Sequence, residues 1–487
     1  MAYRHGVYKS EVPTGLVPPA PGATGLPVIV GTAPIFLGSD EESLKNVNQP
    51  QLIHSYADAV ALFGYSDDWE KYTLCEFIYS QFALYAMSPC VLINVFDPAK
   101  HKETVAPALY SIKESAVNLG QDVILANGVT FDTGVSYVAG TDYSVGYDSD
   151  GNAIFTALEG GALDGATNVK IGFTRAMPDR VTAPDIIGGV NATTGDYEGL
   201  ELVDSVFPKF GLIPGLLAAP KWSEKPGVAA VMVAKMENIN GLFTGQAVID
   251  IPSSSDGADR YTEVSEWKNE NNYTATRAIV CWPKIKLDDK VFHLSTQLIG
   301  LMNKTDAGNS DVPYESPSNK SLQMNACVNE EGKEISLGLD QANYLNGQGI
   351  VTALNFMGGW KAWGSHTGCY PTNTDPKDCR IPIRRMFDWI GNEFITTFWQ
   401  KVDKPITPRL VKTIVNSYNV RLNGLAAREF ILGGRIEFLQ SENPTTDLMD
   451  GIIRFHIYVT PPSEARLIEG ILEFDPAYFD TLFEAVA

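Results

Sequence analysis

Residues 349–368 read GIVTALNFMGGWKAWGSHTG, an apolar run followed by a cluster of glycines and two tryptophans. This run predicts a glycine-rich strand region over 347–368, where neighbouring backbones approach closely. Trp360 and Trp363 have two interpretations: their rings stack on a sugar, or they close a core beside the glycines. The segment opens a C-terminal domain that we predict over 346–461.

Downstream of this segment, the sequence predicts two long helices and then two strands. Each helix carries an apolar stripe at helical spacing. The stripes are formed by Ile383, Met386, Phe387, Ile390, Phe394 and Phe398 in the first helix and by Leu410, Ile414, Tyr418 and Leu422 in the second. Strands are predicted over 434–440 and 451–460. Beyond Pro461-Pro462, residues 462–487 are predicted as a C-terminal arm that contains an isolated strand over 466–474.

Upstream of the segment, apolar runs alternate with helical patterns. The runs LLAAP (216–220), AVIDIP (247–252) and AIVCWP (278–283) are separated by predicted helices over 228–240, 258–272 and around 293–302. A similar order opens the chain, because PVIVGTA (27–33) is followed by two helical patterns and by CVLINVF (90–96). Such alternation favours a largely parallel α/β sheet. We predict this α/β core over 27–118 and 179–345.

Between the two parts of the core, residues 119–178 show short alternating runs separated by turn residues such as Asn127-Gly128 and Asp150-Gly151. This pattern predicts a small antiparallel β domain inserted into a loop of the core. Residues 1–26 are rich in proline and glycine and lack periodicity, so they are predicted as an extended N-terminal arm. The predicted fold class is therefore α+β and multidomain: an α/β core, an inserted β domain and a C-terminal α+β domain.

The charge of the chain excludes some partners. With 37 Lys and Arg against 58 Asp and Glu, the formal net charge is −21, which disfavours binding to nucleic acid or to an anionic membrane. The charge is uneven: residues 371–440 carry 11 basic and 7 acidic residues, a net +4, which leaves −25 for the rest. No apolar stretch is long enough to span a bilayer, no Sec-type signal is evident, and six cysteines without CxxC spacing are typical of reduced thiols. We therefore expect cytoplasmic synthesis.

Signatures of catalysis and of metal binding are nearly absent from the sequence. It contains no GxxxxGK[ST], HExxH or GxSxG motif. Asp148, Asp150 and Asn152 resemble part of a calcium loop but are better explained as a hairpin turn. His366, Cys369 and Cys379 have soft ligand atoms at spacings that match no known zinc module. We expect no enzymatic activity, no cofactor and no metal.

Several segments carry a resemblance to a known family. The opening YRHGVYKSEVP (3–13) and LPVIVGTAP (26–34), then VTAPDIIGG (181–189), the segment 349–368 with its GW-x-x-WG pattern, and GIIRFHIYVTPP (451–462) resemble contractile phage tail sheath proteins. The resemblance covers most of the chain and says least about the inserted domain.

The resemblance implies a structural subunit of a contractile tail sheath, in a phage or a phage-tail-like particle. Such subunits form a six-start helical homopolymer of hexameric discs around an inner tail tube protein, between a baseplate and a tail terminator. Contraction drives the tube through a target cell envelope. In this family, each subunit lends terminal strands to a small sheet in neighbouring C-terminal domains, so the C-terminal domain is expected to bear a strand-augmented sheet.

Three sets of residues follow from this expectation. The donated strands would contain Gly6, Val7, Tyr8, Lys9, Ser10 and Glu11 at the N-terminus and Ile468, Glu469, Ile471, Leu472 and Phe474 at the C-terminus. The acceptor sheet would contain Arg435, Ile436, Phe438, Ile453, Phe455 and Ile457. The basic stretch suggests a tube contact through Lys401, Lys404, Arg409 and Lys412, whose alternative is a solvated or intramolecularly paired face.

Two other functions remain as alternatives at this point. A carbohydrate-binding surface adhesin would use the inserted β domain and exposed aromatic side chains. A carboxylate-dependent hydrolase would use a pair of the many acidic residues, which need not be near each other in sequence.

Overall fold

The computed structural model describes residues 25–40, 42–132 and 134–481. Its strands are β1 (Leu26–Gly31), β2 (Gln51–Ile53), β3 (Cys90–Asn94), β4 (Lys102–Ser111), β5 (Ala116–Gly120), β6 (Val129–Thr130), β7 (Tyr143–Tyr147), β8 (Ala153–Ala157), β9 (Asn168–Ala176), β10 (Gly189–Val190), β11 (Tyr197–Glu198), β12 (Pro214–Ala218), β13 (Gln246–Asp250), β14 (Ala278–Cys281), β15 (Lys284–Leu287), β16 (Lys290–Phe292), β17 (Ala326–Val328), β18 (Ile350–Phe356), β19 (Gly359–Trp363), β20 (Gly433–Glu437) and β21 (His456–Thr460).

Helices connect and flank these strands. They are α1 (Tyr56–Phe63), α2 (Thr73–Ile78), α3 (Ala183–Ile187), α4 (Val206–Phe210), α5 (Pro226–Glu237), α6 (Val264–Glu270), α7 (Leu294–Gly308), α8 (Leu339–Asn346), α9 (Pro376–Cys379), α10 (Ile381–Phe398), α11 (Pro408–Ala427) and α12 (Thr445–Met449). None of the helices in the described ranges combines the length and the apolar character needed to cross a bilayer.

The body of the molecule is an eight-stranded sheet in the order β19-β18-β14-β13-β12-β1-β3-β2. The pairs from β3 to β18 are parallel, and the two outermost strands, β2 and β19, run antiparallel to their neighbours. Strands β1, β3, β13 and β14 are buried along their whole length, which explains their continuous apolar sequences. The predicted parallel α/β arrangement is confirmed.

The segment 349–368 belongs to this sheet rather than to a separate C-terminal domain. β18 pairs in parallel with β14, with Ile350 opposite Val280, and β19 returns antiparallel to β18. Gly358 and Gly359 form the turn with φ values of +80° and +91°, which favour glycine. The Trp360 ring is half-buried against the main core. The predicted start of the C-terminal domain at 346 is therefore too early, because the hairpin completes the edge of the body.

The inserted β unit consists of two three-stranded antiparallel sheets, β4-β9-β6 and β5-β8-β7, around a core of its own. It starts earlier than the predicted residue 119, because β4 pairs along β9 from Lys102 opposite Ala176 to Ser111 opposite Asn168. Two host residues hold it against the body: Asp122 accepts hydrogen bonds from Lys71 Nζ at 3.0 Å and from Tyr72 Oη at 2.6 Å.

The C-terminal unit consists of α10, α11 and the two-stranded sheet β20-β21. Its core is separate from the main one and contains Met386, Trp389, Ile390, Ile414, Tyr418, Leu422, Leu425 and Ile436. The predicted stripes contribute Met386, Ile390 and Phe398 from α10 and Ile414, Tyr418 and Leu422 from α11 to this core.

Polar contacts join the C-terminal unit to the body. Asp388 accepts hydrogen bonds from Thr244 (3.0 Å) and Gln246 (2.7 Å) at the amino end of β13 and from Arg277 (2.7 Å) just before β14. Arg385 pairs with Asp306 of α7 in a buried contact. Helix α10 is thus held to the sheet by charge-assisted bonds that are strong when desolvated.

Candidate assembly interface

The two strands that were predicted to form an acceptor sheet pair with each other as β20 and β21, antiparallel; their acceptor role stays a prediction. Ile436 lies opposite Ile457, and Arg435 lies opposite Tyr458. Side chains alternate between the two faces of a sheet. Ile436 therefore faces the core at 1% exposure, while the Arg435 guanidinium lies over the Tyr458 ring on the other face, 3.9 Å from its centroid.

The two strands are shorter than predicted, because Asn443 ends the ladder. Its side chain accepts a hydrogen bond from Arg454 N at 2.7 Å and donates to the oxygens of Arg454 at 2.9 Å and Leu439 at 2.8 Å. These bonds fold 439–454 into a connection that contains α12. Of the predicted acceptor residues, Arg435, Ile436 and Ile457 lie in strands; Phe438, Ile453 and Phe455 lie outside the strands as the structure has them.

The outer edge of β20 is covered by a side chain of helix α11. Asn419 accepts a hydrogen bond from Ile436 N at 3.0 Å, and its Nδ2 donates to Ile436 O at 3.2 Å. The amide thus takes both backbone groups with which Ile436 would bond a neighbouring strand. No sequence motif predicted this role, since it depends on the distance of α11 from the sheet.

The C-terminal segment beyond the sheet is extended, apolar and exposed. Leu467, Ile468, Ile471, Leu472 and Phe474 are 77%, 86%, 87%, 99% and 78% exposed. Residues 466–474, predicted as a strand, pair with no strand among the described residues, and Glu469 is exposed as well. Large apolar side chains in such a row are unusual on a free surface and mark an interaction segment.

Glu464 fixes the point from which this segment leaves the body. Its Oε1 accepts a hydrogen bond from Arg380 Nη1 at 2.6 Å and a second one from Ser365 Oγ. Ile381 N donates to Ser365 O at 2.9 Å, so the end of the body and the start of α10 meet at this point. From Ala465 to Thr481, the last residue that the structure describes, every residue is exposed. In the sequence, this contact is marked only by one acidic residue, Glu464, two positions after Pro461-Pro462.

The N-terminal donor residues Gly6, Val7, Tyr8, Lys9, Ser10 and Glu11 lie outside the described residues. Their proposed pairing stays a prediction.

Another long edge strand is protected against pairing. β4 forms one edge of its sheet, and its register shifts between Val105 and Ala108, around Pro107. A bulge and a proline both discourage strand addition. Strand β21, by contrast, contains no proline and pairs with β20 without a register shift.

The basic stretch separates into two groups in the structure. Seven of its residues contact groups of the same chain: Lys377 with Asp378, Arg380 with Glu464, Arg384 with Asp388, Arg385 with Asp306, Arg421 with Glu393, Arg428 with Ser310 and Arg435 with Glu437. The remaining four, Lys401, Lys404, Arg409 and Lys412, form no ion pair within the described part of the chain. We call these four residues the basic patch.

The basic patch surrounds the turn between α10 and α11. Lys404, Arg409 and Lys412 are exposed and Lys401 is half-buried, and they lie near Trp399 (57% exposed), Val402 (58%) and Ile406 (38%). Arg409 lies in the first turn of α11, where a positive charge opposes the helix dipole. Helix stability therefore does not explain its position, whereas a partner surface would. The apolar neighbours were not predicted from the sequence.

The candidate ligand sites from the sequence have structural explanations. Asp148 accepts hydrogen bonds from the backbone of Asp150 and Asn152, as a hairpin turn requires. His366 stacks on Tyr370 with ring centroids 4.0 Å apart. Among the described residues, no group of three or more His, Cys, Asp or Glu side chains is arranged to hold a metal ion.

Comparisons with known proteins give relatives along nearly the whole chain. The tail sheath protein of Burkholderia phage BcepMu is 29% identical over 490 residues, which cover 96% of each chain. The major tail sheath protein of Serratia phage KSP20 is 24% identical over 318 residues, or 62% of this chain and 73% of that protein. No protein-family model matches the chain.

Solved structures share the fold. The sheath complex of the extracellular contractile injection system PVC, in the contracted state, matches with a TM-score of 0.58 at 14% identity, over 98% of this chain and 99% of that one. The contracted helical sheath of the anti-feeding prophage matches with a TM-score of 0.56 at 14% identity, over 98% and 100%. These relatives are structural proteins rather than enzymes, and they support neither an adhesin nor a hydrolase. Along nearly its whole length, the chain is therefore similar to the tail sheath protein of a contractile phage tail, and it shares the fold of contractile sheath structures.

Proposed function

We propose that this chain polymerises helically around an inner tail tube, as hexameric discs in a six-start helix, and contracts to drive the tube through a target cell envelope. Its further partners are a baseplate and a tail terminator, and neither nucleic acid nor a membrane is a direct partner. The subunit is made in the bacterial cytoplasm and is assembled into the tail of a virion or phage-like particle. The relatives' functions and the surface features described above support this proposal.

One observation carries the proposed assembly: within the described residues, the small sheet of the C-terminal unit has only two strands, and the apolar segment 466–474 pairs with no strand. A two-stranded sheet is marginal by itself, and added strands stabilise it. An extended segment gains backbone hydrogen bonds when it adds to the edge of another sheet. Strand donation between copies would satisfy both needs and join the subunits into a connected polymer.

Two truncations test strand donation. One variant lacks residues 1–12, and the other ends at Glu464. Because neither change touches a described core residue, we expect both variants to fold with the unfolding temperature of the full chain, yet to stay monomeric in analytical ultracentrifugation. Normal tubular polymers in negative-stain images of either variant would contradict the proposal for that arm.

The basic patch is the proposed contact with the tube. Exposed ion pairs contribute roughly 0–1 kcal/mol each and are weakened by salt, which suits a sheath that must slide off its tube. Changing Lys401, Lys404 and Lys412 to Glu should abolish sheath assembly on purified tubes. The matched control changes Lys113, Lys304 and Lys333, which are exposed and form no ion pair among the described residues, to Glu. Equal assembly by the two triple variants would remove the patch from the proposal.

Contraction in this proposal needs no cofactor. If the contracted packing buried an additional ~200 Å² of apolar surface per subunit, the gain would be ~5 kcal/mol at ~25 cal/mol per Å² before ordering costs. Summed over a long polymer, such a gain is sufficient for mechanical work.

A further inference from the structure

Gly25 lies at a crowded point where the body meets the C-terminal unit. A Cβ added to Gly25 would lie 3.0 Å from Arg385 Nη2 of α10 and 3.1 Å from Asn303 Oδ1 of α7, and a Cβ added to Gly215 would lie 2.5 Å from Gly25 Cα. Gly25 has φ at +71°, which favours glycine. The backbone is thus closely surrounded at this point, directly before β1.

A cavity of about 170 Å³ lies beside Gly25. Apolar residues contribute to its lining, and so do the side chains of Gln81, which follows α2, and of Asn303. The apolar residues are Leu26, Pro27, Met87 and Pro89. One water needs roughly 10–15 Å³ of such space, so the cavity has room for a short stretch of polypeptide.

The two amides at this cavity have hydrogen-bonding groups without partners. Gln81 is 1% exposed, and neither its Oε1 nor its Nε2 has a hydrogen-bond partner among the described residues. Asn303 Oδ1 is a further buried acceptor for which the described residues supply no donor. The large majority of buried polar side-chain atoms are bonded. These groups therefore indicate that the cavity takes a ligand with both donors and acceptors.

A peptide backbone has the matching chemistry. A carboxamide side chain offers the same donor and acceptor groups as a peptide bond, so it can bond a backbone N–H and a backbone C=O together. Asn419 bonds Ile436 in this way elsewhere in the chain. The apolar part of the lining suits the short apolar side chains of an extended peptide.

The chain itself supplies a peptide at the cavity. Thr24 is covalently attached to Gly25, and residues 20–24 read APGAT. Because the side chains of this stretch are short, its backbone can come within hydrogen-bond distance of the buried amides. Pro21 has no N–H and needs no acceptor. A peptide from a second copy would have to compete with a segment that is tethered to the cavity by Gly25.

We propose that the cavity beside Gln81 and Asn303 is a peptide-binding site, and that residues 20–24 of the same chain bind there through backbone hydrogen bonds to the two amides. Residues 1–24 lie outside the described part of the chain. Only residues 1–19 would then be free to reach a partner, and a pull on them would be carried by α7 and by the segment after α2 as well as by β1. The site belongs to the single subunit, so it goes beyond the proposed sheath function and is tested on monomers.

Hydrogen–deuterium exchange of the full-length monomer tests the site. The amides of residues 20 and 22–24 should exchange at least tenfold more slowly than those of residues 5–12, whose proposed partner is absent from a monomer. Equally fast exchange in the two stretches would overturn the proposal. Slow exchange that appears only in polymers would assign the cavity to a second copy and would overturn it as well.

Gln81→Met and Gln297→Met form a matched pair of variants. Methionine is flexible and similar in size to glutamine but lacks the amide. Gln297 is also buried, but its amide is bonded within the body, to Tyr85 Oη at 3.0 Å and to Gln323 O at 2.8 Å. We expect Gln81→Met to remove the slow exchange of residues 20–24. Gln297→Met should keep the slow exchange and lower the unfolding temperature more than Gln81→Met does. Slow exchange that survives Gln81→Met would contradict the site.

Substitutions in the arm test the site without altering the cavity. Gly22→Trp places a large ring in a stretch that fits because its side chains are short, and it should speed exchange at residues 20, 23 and 24 at least tenfold. Gly15→Trp, earlier in the arm, should leave their exchange slow. Equal exchange rates at these residues in the two variants would show that residues 20–24 do not occupy the cavity.

Discussion

At the residue scale, the body contains a buried cluster of charges that the sequence did not reveal. His293 precedes α7 as its N-cap rather than lying within the helix. Its Nδ1 lies 2.8 Å from Glu76 Oε2 and its Nε2 lies 3.5 Å from Glu224 Oε1. Lys284 and Asp250 complete the surroundings, and Asp250 is bonded to Ser295. Glu76 is 217 residues away in sequence, so no local pattern could have predicted the cluster.

The pKa of His293 leads to a prediction about pH. Although burial alone would lower this pKa, the charges of Glu76 and Glu224 hold it at about 10, above the ordinary 6.5. A pKa raised in the folded state stabilises the fold below pH 6.5 and loses this effect as the pH rises towards 10. His293→Gln should lower the free energy of unfolding by about 3–5 kcal/mol at pH 7, because it leaves buried carboxylates unpaired.

Urea unfolding of both proteins at pH 7, 8, 9 and 10 measures this effect. The difference between wild type and His293→Gln should shrink steadily over this range, while the ionisation of unfolded cysteines affects both proteins alike. A difference that stays constant from pH 7 to pH 10 would show that His293 is neutral in the folded protein.

Gly188 provides a second prediction at this scale. It ends α3 with φ at +69°, and a Cβ there would lie 1.8 Å from Glu198 O. Gly188→Ala should therefore lower the unfolding temperature by several degrees, because the backbone near Glu198 has to move. Gly391→Ala is the control: Gly391 lies in α10 with no atom near the added Cβ, so alanine should stabilise the helix by roughly 0.5–1 kcal/mol. An unfolding temperature of Gly188→Ala equal to or higher than that of Gly391→Ala would contradict this prediction.

At the element scale, the periodic helices were predictable and the strand ends were not. The stripe from Ile383 to Phe398 has helical spacing, and α10 spans Ile381–Phe398. The predicted strands over 434–440 and 451–460 lose their ends to Asn443, whose side chain bonds backbone groups on both sides of the connection. Asn419 acts similarly at Ile436. Both roles depend on tertiary distances, which is why sequence patterns alone overestimated the strands and missed the closed edge.

The bond between Glu464 and Arg380 leads to a prediction about the C-terminal arm. Glu464 is held where the body meets α10, so it sets the direction in which the exposed segment leaves. Glu464→Gln weakens a charge-assisted pair and should reduce polymer yield several-fold while the unfolding temperature of the monomer changes by less than about 2 °C. Asp480→Asn, an equal charge change at an exposed position beyond the predicted strand, should assemble normally.

The polymer yields of these two variants are compared by pelleting. Equal yields would mean that the anchor does not direct the arm. A large fall in the unfolding temperature of Glu464→Gln would mean that the bond serves the fold of the monomer instead.

At the scale of the whole molecule, the sequence predicted the parallel sheet correctly but misplaced the boundaries between the structural units. Alternating apolar runs and helices led to the parallel sheet because each buried strand is continuously apolar. The boundaries at 119 and 346 were misplaced because β4 and β18 find partners far along the chain, β9 and β14, and pairing decides to which unit a strand belongs. The structure also shows how the basic residues of 371–440 are used. Most of them form ion pairs with acidic residues of the same chain, and the four residues of the basic patch remain available to a partner.

The inserted unit leads to the last prediction, because its two connections to the body are adjacent. Lys102, at the start of β4, lies opposite Ala176, at the end of β9, so a short glycine linker can replace 103–175 without displacing the body. The unit carries its own core, a net charge of 4 − 9 = −5 over 102–176, and an edge strand protected by Pro107.

If assembly proceeds through the C-terminal sheet, the subunit without residues 103–175 should still form polymers. Its unfolding temperature should fall, since Phe36 and Tyr72 lose contacts with Tyr147 and Asp122. Electron microscopy would show tubes of reduced outer diameter if the unit lies on the outer surface, whereas a folded but monomeric protein would place an essential contact in the inserted unit.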